Sequence, residues 1–196
     1  MKTLLIATSI VASAILPSAA YAQSIPSAIV AVVDLDKVTS SCNACKTASA
    51  ALRSQVSGLQ TRQQTLAGPL QTEGKSIQAA VNALNGKEPD AALKTRAQAW
   101  ETKRQQAAEE ITRQQQQIEA NGEYVKRQIA DKLGPIYTQV MQRRGANIMV
   151  EIGTTLASGA NLDVTNDVLT ALNTALPAIQ TTAPAAATNR AQPQGR

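Results

Sequence analysis

A chain of 196 residues with 19 Lys and Arg, 14 Asp and Glu and no His carries a formal charge of +5. The missing His removes the usual general base, the commonest metal ligand and the ordinary pH switch, and the surplus charge is spread out, without the basic face or motif that nucleic-acid binding requires. There is no Phe, and beyond residue 22 the only aromatics are Trp100, Tyr124 and Tyr137, so a compact monomeric core is poorly supplied and oligomerisation is expected.

Residues 1–22 read as an export leader. Lys2 is its charged start, Leu4 to Leu16 its short apolar stretch, and Ala20-Tyr21-Ala22 supplies the small residues that signal peptidase requires for cleavage between Ala22 and Gln23. An uncleaved anchor is the alternative, and the apolar run is shorter than the roughly 18 residues of a membrane span. No Cys follows the cleavage point to carry a lipid. The mature chain is expected in an exported compartment, with a positive surplus that suits a membrane surface only weakly.

Ala28-Ile-Val-Ala-Val-Val-Asp34-Leu-Asp36 is the strongest strand, a near-continuous apolar run rich in β-branched residues that implies burial on both faces. Asp34 and Asp36 end it, and at a strand end they read as caps rather than as an acid–base pair; Thr39, Ser40 or Ser41 can cap the helix that follows.

Residues 41–142 read as two helical arms. In the first, Leu52, Val56, Leu59, Leu66, Leu70, Ile77, Val81 and Leu84 recur at steps of three and four, with Gln63 and Glu73 in polar slots. In the second, Leu93, Ala97, Trp100, Ala107, Ile111, Ile118 and Val125 do the same around Arg104, Gln114 and Asn121. Both are narrow seams of period 3.5, and a seam so narrow needs a partner along its length. The turn signals at residues 85–90, Asn85-Gly86-Lys87-Glu88-Pro89-Asp90, fold the arms on each other; an arm of some 44 residues reaches roughly 66 Å. Gly58, Gly68-Pro69 and Gly74 interrupt the first arm, which predicts a bend near residue 68 or, alternatively, a break into two helices. In the second arm Glu109 and Arg113, and Glu123 and Arg127, have the spacing of helix ion pairs, and Gly134-Pro135 predicts a kink.

Gly145 ends the second arm, and a further strand follows with Ile148, Val150 and Ile152 on one face. Thr154–Ser158 leaves room for a third short strand before a turn at Gly159-Ala160-Asn161. Thr165 can cap a closing helix whose Val168, Leu169 and Leu172 face inward, with Asp167 near its positive end. Residues 177–196 are mostly Ala, Thr, Pro and Gln with two Arg, a composition that predicts a disordered tail. The expected fold is α+β and mostly α: a long antiparallel coiled-coil hairpin (41–142) inserted in a small β-strand oligomerisation body made of 28–40 and 143–176.

Cys42-Asn43-Ala44-Cys45 is the one constellation of reactive type. Its spacing is that of thiol–disulfide oxidoreductases, yet no alternation of strands and helices accompanies it. A structural disulfide, two reduced or intermolecular thiols, and a redox or metal site are the three readings, the last needing two more soft ligands. With no phosphate loop or nucleophile elbow either, neither a catalytic residue nor a cofactor is expected.

The two ends of the chain resemble the Skp/OmpH family of periplasmic chaperones. The resemblance rests on Ile29–Asp34 as the opening strand, the Gln-rich hairpin, and Asp163-Val-Thr165 followed by Val168-Leu169 and Leu172-Asn173 as the closing element. It implies a periplasmic trimer whose bodies form a small β-barrel, built here from Ile29, Val30, Val32, Val33, Ile148, Val150, Ile152, Asp163 and Thr165. Three hairpins project from the barrel and enclose unfolded outer-membrane proteins without ATP. Apart from the resemblance, the Gly-Pro steps at Gly68-Pro69 and Gly134-Pro135 read as hinges that would let such a cavity widen. The Cys pair, the absence of Phe, the breaks at Gly68-Pro69 and Gly74, the moderate basicity and the tail after Asn173 depart from the family pattern. A structural coiled-coil spacer of the cell envelope is the alternative function.

Overall fold

A computed structural model describes residues 26–184, so the leader, with Ala22 and Gln23, and residues 185–196 lie outside the described residues. Strand β1 (Val30–Val33) leads into a short helix α1 (Leu35–Ser41), and the long helices α2 (Asn43–Ala83) and α3 (Ala91–Arg144) follow. Strand β2 (Ile148–Glu151), two single 3-10 turns and helix α4 (Thr165–Ala175) close the order. The body is therefore mainly helical around a two-stranded sheet, less rich in strand than its β-branched runs predict.

β1 pairs with β2 in parallel, Val30 opposite Ile148 and Val33 opposite Glu151. Because parallel neighbours cannot be joined by a tight turn, the connection between them is the whole of α1, α2 and α3. β1 lies in the middle: on its other edge Val32 bridges Asp163, and the Val164 amide donates to the Val32 carbonyl at 2.8 Å. With both edges used, Ala31, Val32 and Val33 are buried, as the apolar run implies. The core beneath is assembled from β1, Val38 of α1, the Cys42 and Cys45 end of α2, Leu133, Ile136 and Val140 of α3, and Val168 and Leu172 of α4.

The sequence places one continuous helix start near residue 41, whereas the structure divides the segment. Asp34 caps α1, its carboxylate accepting from the Lys37 amide at 2.7 Å. Cys42 then ends α1 and caps α2, and Thr39, Ser40 and Ser41 lie inside α1 rather than capping anything. Cys42 and Cys45 are joined as a disulfide. Both are buried, so the pair is part of the core.

α2 runs unbroken through Gly68-Pro69, and α3 through Gly134-Pro135. The residue before a proline is driven from helical geometry largely by its own Cβ against the proline ring; glycine has none, so both Gly-Pro pairs pass through a helix that an Ala-Pro pair would resist. Contacts pair rising positions on α2 with falling ones on α3: Gln55 with Asn121, Arg62 with Glu110, Leu70 with Trp100, Glu73 with Arg96. The chain turns where Asn85 and Gly86 take positive φ, 48° and 87°, and Asp90 caps α3 by accepting from the Leu93 amide at 2.8 Å.

Candidate binding surface

The closing Asp163-Val-Thr165 element fastens the body. The Asp163 carboxylate accepts from the Thr165 amide at 2.8 Å, and the Thr165 hydroxyl accepts from the Asp34 amide at 2.9 Å. Thr165, expected as the cap of α4, is instead a buried rivet between the end of β1 and the start of α4. The hydroxyl and amide of Thr165 hold the Asp163 carboxyl below its ordinary pKa. Asn173, at the far end of α4, accepts from the Asn43 amide at 2.9 Å and so satisfies the start of α2. Arg144 reaches Asp167 at 2.6 Å and joins the end of α3 to α4.

Open apolar surface remains beside this rivet. Ile148 of β2 is 43% exposed, Ile152 37% and Ile29 53%, and Leu156 is fully exposed in the segment after β2. Ile148 and Val150 keep the alternation of a strand. Ile152 does not continue their strand as expected, because it has already entered a 3-10 turn (Ile152–Thr154), and residues 155–159, where a third strand is expected, are irregular chain. Among the described residues β2 has β1 on one edge only, so its other edge carries backbone groups free to pair with another chain.

The arms are thin. Between Ser49 and Ala120 Ile77 is the one buried residue among the described ones, since each helix offers only a narrow stripe. Two bidentate pairs cross the gap: Arg62 to Glu110 at 2.7 and 3.0 Å, and Arg96 to Glu73 at 2.6 and 2.9 Å. The guanidinium groups hold both carboxyls below their ordinary pKa, though at such exposed positions the pairs set register more than they stabilise. Trp100 crosses as well: its indole N–H donates to the Leu70 carbonyl at 2.8 Å, and its ring lies so close to Gly74 that a Cβ there would sit 3.1 Å away. Gly74, which reads in the sequence as an interruption, is the seat of the tryptophan. Beside Pro69, Leu66 and Ala107 line a shallow groove of about 280 Å³.

The OmpH-like outer membrane protein family matches residues 29–172. The chain belongs to the OmpH-like family. The match runs from the start of β1 to Leu172 in α4, and so takes in the body and both arms. A crystal structure of an OmpH-like protein from Caulobacter crescentus, solved at 2.83 Å as a candidate outer membrane chaperone, superposes with a TM-score of 0.67 at 15% identity, covering 83% of this chain and 94% of that one. At that identity the likeness establishes the fold. No curated protein matches the chain significantly.

In this OmpH-like chain the predicted seam is shifted by one residue at two points. Val56 and Val81 are 44% and 41% exposed, and Gln55 and Ala80 are turned inward in their place. The local ion pairs also differ. Glu123 pairs with Lys126 while Arg127 lies over the Tyr124 ring at 5.8 Å, and Glu110 turns to Arg62 on the other arm. Gly68 and Pro69 are exposed mid-helix, Gly134 and Pro135 exposed near the root. Among the described residues no group of three or more metal-ligating side chains converges, and no helix is long and apolar enough to cross a membrane.

Residues 177–184 are ordered, against the expectation of a disordered tail. They lie along the arm roots as a strap, with Ile179 packed on the core and the following backbone held by Gln and Asn side chains. Composition alone gave no signal for this, because the partners are polar side chains of α2 and α3 remote in sequence.

Proposed function

We propose that the protein is an ATP-independent periplasmic holdase chaperone. Three copies join through the open edge of β2 and the apolar rim of Ile29, Ile148, Ile152 and Leu156, and their coiled-coil arms enclose unfolded outer-membrane proteins. The family match across the body and both arms carries the reading. It agrees with an exposed sheet edge at the root and long arms that bury little of their own surface. A client captured by many weak contacts needs flexible, mildly positive walls rather than a shaped pocket, and enclosure by several arms multiplies those contacts.

The Gly68-Pro69 and Gly134-Pro135 steps serve as hinges in this reading, since each proline removes one helix hydrogen bond. Purified mature protein is expected to scatter light as an oligomer and to suppress aggregation of several unrelated outer-membrane barrel proteins diluted from urea without nucleotide. A monomer that binds one folded partner stoichiometrically and suppresses nothing would instead mark an envelope spacer.

A further inference from the structure

The strap is held in an unusual way: every side chain that grips it, except one, takes hold of its backbone. Gln128 makes two such bonds, accepting from the Gln180 amide at 3.0 Å and donating to the Gln180 carbonyl at 2.8 Å. Gln55 donates to the Thr181 carbonyl at 3.0 Å, and Asn121 accepts from the Ala183 amide at 2.7 Å. Gln117 donates to the Asn121 side chain at 2.8 Å and reaches the Ala183 carbonyl at 3.5 Å, and Asn121 donates back to Gln55 at 2.8 Å. The exception is the Tyr124 hydroxyl, 3.3 Å from the Gln180 side-chain oxygen.

A side-chain amide carries a donor and an acceptor at the spacing of a peptide group. Four of them come from both arms, and three, Gln117, Asn121 and Gln55, are linked to one another; together they form a row that meets the N–H and C=O groups of a passing backbone as a strand edge does. Part of the row is held without the strap: the Asn121 side chain accepts from Gln117 and donates to Gln55. Because the amide row meets N–H and C=O groups, it asks of a bound segment only a free N–H at the positions of Gln180 and Ala183, while Ile179 adds an apolar anchor on the core.

We propose that Gln55, Gln117, Asn121 and Gln128 form a backbone-directed binding track for unfolded polypeptide, and that residues 177–184 occupy it in cis as a competing pseudo-substrate. The external ligand is a segment of an unfolded chain, so the inference rests on the holdase reading. The strap is tethered at Leu176, which is buried in the body, and a short tether gives an effective concentration of about 1 mM. For each tenfold by which the same segment binds in trans more tightly than that, the free track falls tenfold in population, and the apparent affinity for an external segment falls with it.

The test uses the full mature chain with Gln180→Pro and Ala183→Pro together, which deletes the two donated N–H groups, and a fluorescein-labelled peptide of residues 177–184. Anisotropy is expected to show the released variant binding the peptide about tenfold more tightly than the parent. Asn121→Ala or Gln128→Ala in the released background should return affinity about fivefold or more toward baseline, at roughly one hydrogen bond each. The peptide N-methylated at Gln180 and Ala183 should not bind. Equal binding by parent and released variant, or by the methylated and plain peptides, overturns the proposal.

Should the released variant lose helical circular dichroism, hydrogen exchange on the unmodified protein decides. The Gln180 and Ala183 amides should be protected, and millimolar unlabelled peptide should deprotect them; no protection, or protection that excess peptide leaves unchanged, refutes the track. Aggregation assays on the same samples separate the two readings. Suppression without any peptide binding leaves the holdase and removes the track, whereas peptide binding without suppression leaves the track and removes the holdase.

Discussion

Gly58 and Gly74 occupy the same helix, yet Ala should act oppositely at the two positions. A Cβ at Gly58 meets nothing within 4 Å, so Gly58→Ala gains the helix propensity of about 1 kcal/mol. At Gly74 the same Cβ lies 3.1 Å from Cζ2 and 3.3 Å from Cε2 of Trp100, and the ring cannot retreat without stretching its bond to the Leu70 carbonyl. Losing that bond costs about 1 kcal/mol. Exposing a third of a tryptophan's buried area, roughly 60 Å², costs about 1.5 kcal/mol more. Against the propensity gain, Gly74→Ala should destabilise by about 1.5 kcal/mol, leaving a gap of about 2.5 kcal/mol between the two variants. Urea titration followed by circular dichroism measures the stability, and emission of the one tryptophan reports the ring directly, with a red shift expected for Gly74→Ala alone. If Gly74→Ala is as stabilising as Gly58→Ala, with unchanged emission, Trp100 is not seated on that glycine.

Thr165→Ala should cost 1 to 3 kcal/mol, roughly the penalty of a stranded buried amide at Asp34, and Thr165→Ser much less; equal losses in urea would remove the rivet. Asp163 titrates below its ordinary pKa because Thr165 favours the carboxylate. Its contribution is therefore complete above the unfolded Asp value and is lost as pH falls through the lowered folded one. Asp163→Asn should flatten that acid limb of stability, and an unchanged limb refutes the assignment. Ile148→Asp with Leu156→Asp should turn the proposed oligomer into a helical monomer by light scattering, and a retained oligomer places the interface elsewhere. Replacing Cys42 and Cys45 by Ser should cost about 2 kcal/mol, the chain-entropy value for so short a loop, and parent and variant equally stable without reductant would mean that the pair contributes nothing.

What could be read from the residues was what local rules govern. The Ile29–Asp34 run, the turn at Asn85-Gly86 and the Gly145 stop each depend on a few adjacent side chains. The seam was read nearly right. A strict 3.5 period selects the valines at 56 and 81, but the helices place Gln55 and Ala80 inward, where the Gln55 amide meets Asn121 and the strap. The pairing of Glu109 with Arg113 followed a rule for isolated helices. Among the described residues that pair does not form, and the ion pair at this level is the bidentate fork of Arg62 on the neighbouring Glu110. Thr165, Asn173 and the strap escaped for one reason: each satisfies a backbone group more than 60 residues away or on another element, and no window of sequence contains both partners.

The placement of these long-range bonds divides the molecule energetically. Near the root, Asp34, Asn43 and Ala183 each give an amide to a side chain from another segment, so the body, the arm bases and the strap are tied together. Toward the tip the ties are exposed ion pairs of small worth and one tryptophan. Local opening therefore begins at the tip and stops near Asn121, where burial resumes. An arm that loosens outward from a fixed base changes the volume it encloses without dissolving the sheet that joins it to its neighbours in the proposed assembly. The strap crosses that same boundary, its Ala183 amide on Asn121, so releasing it frees the arm base to move and uncovers the backbone-reading amides in a single step.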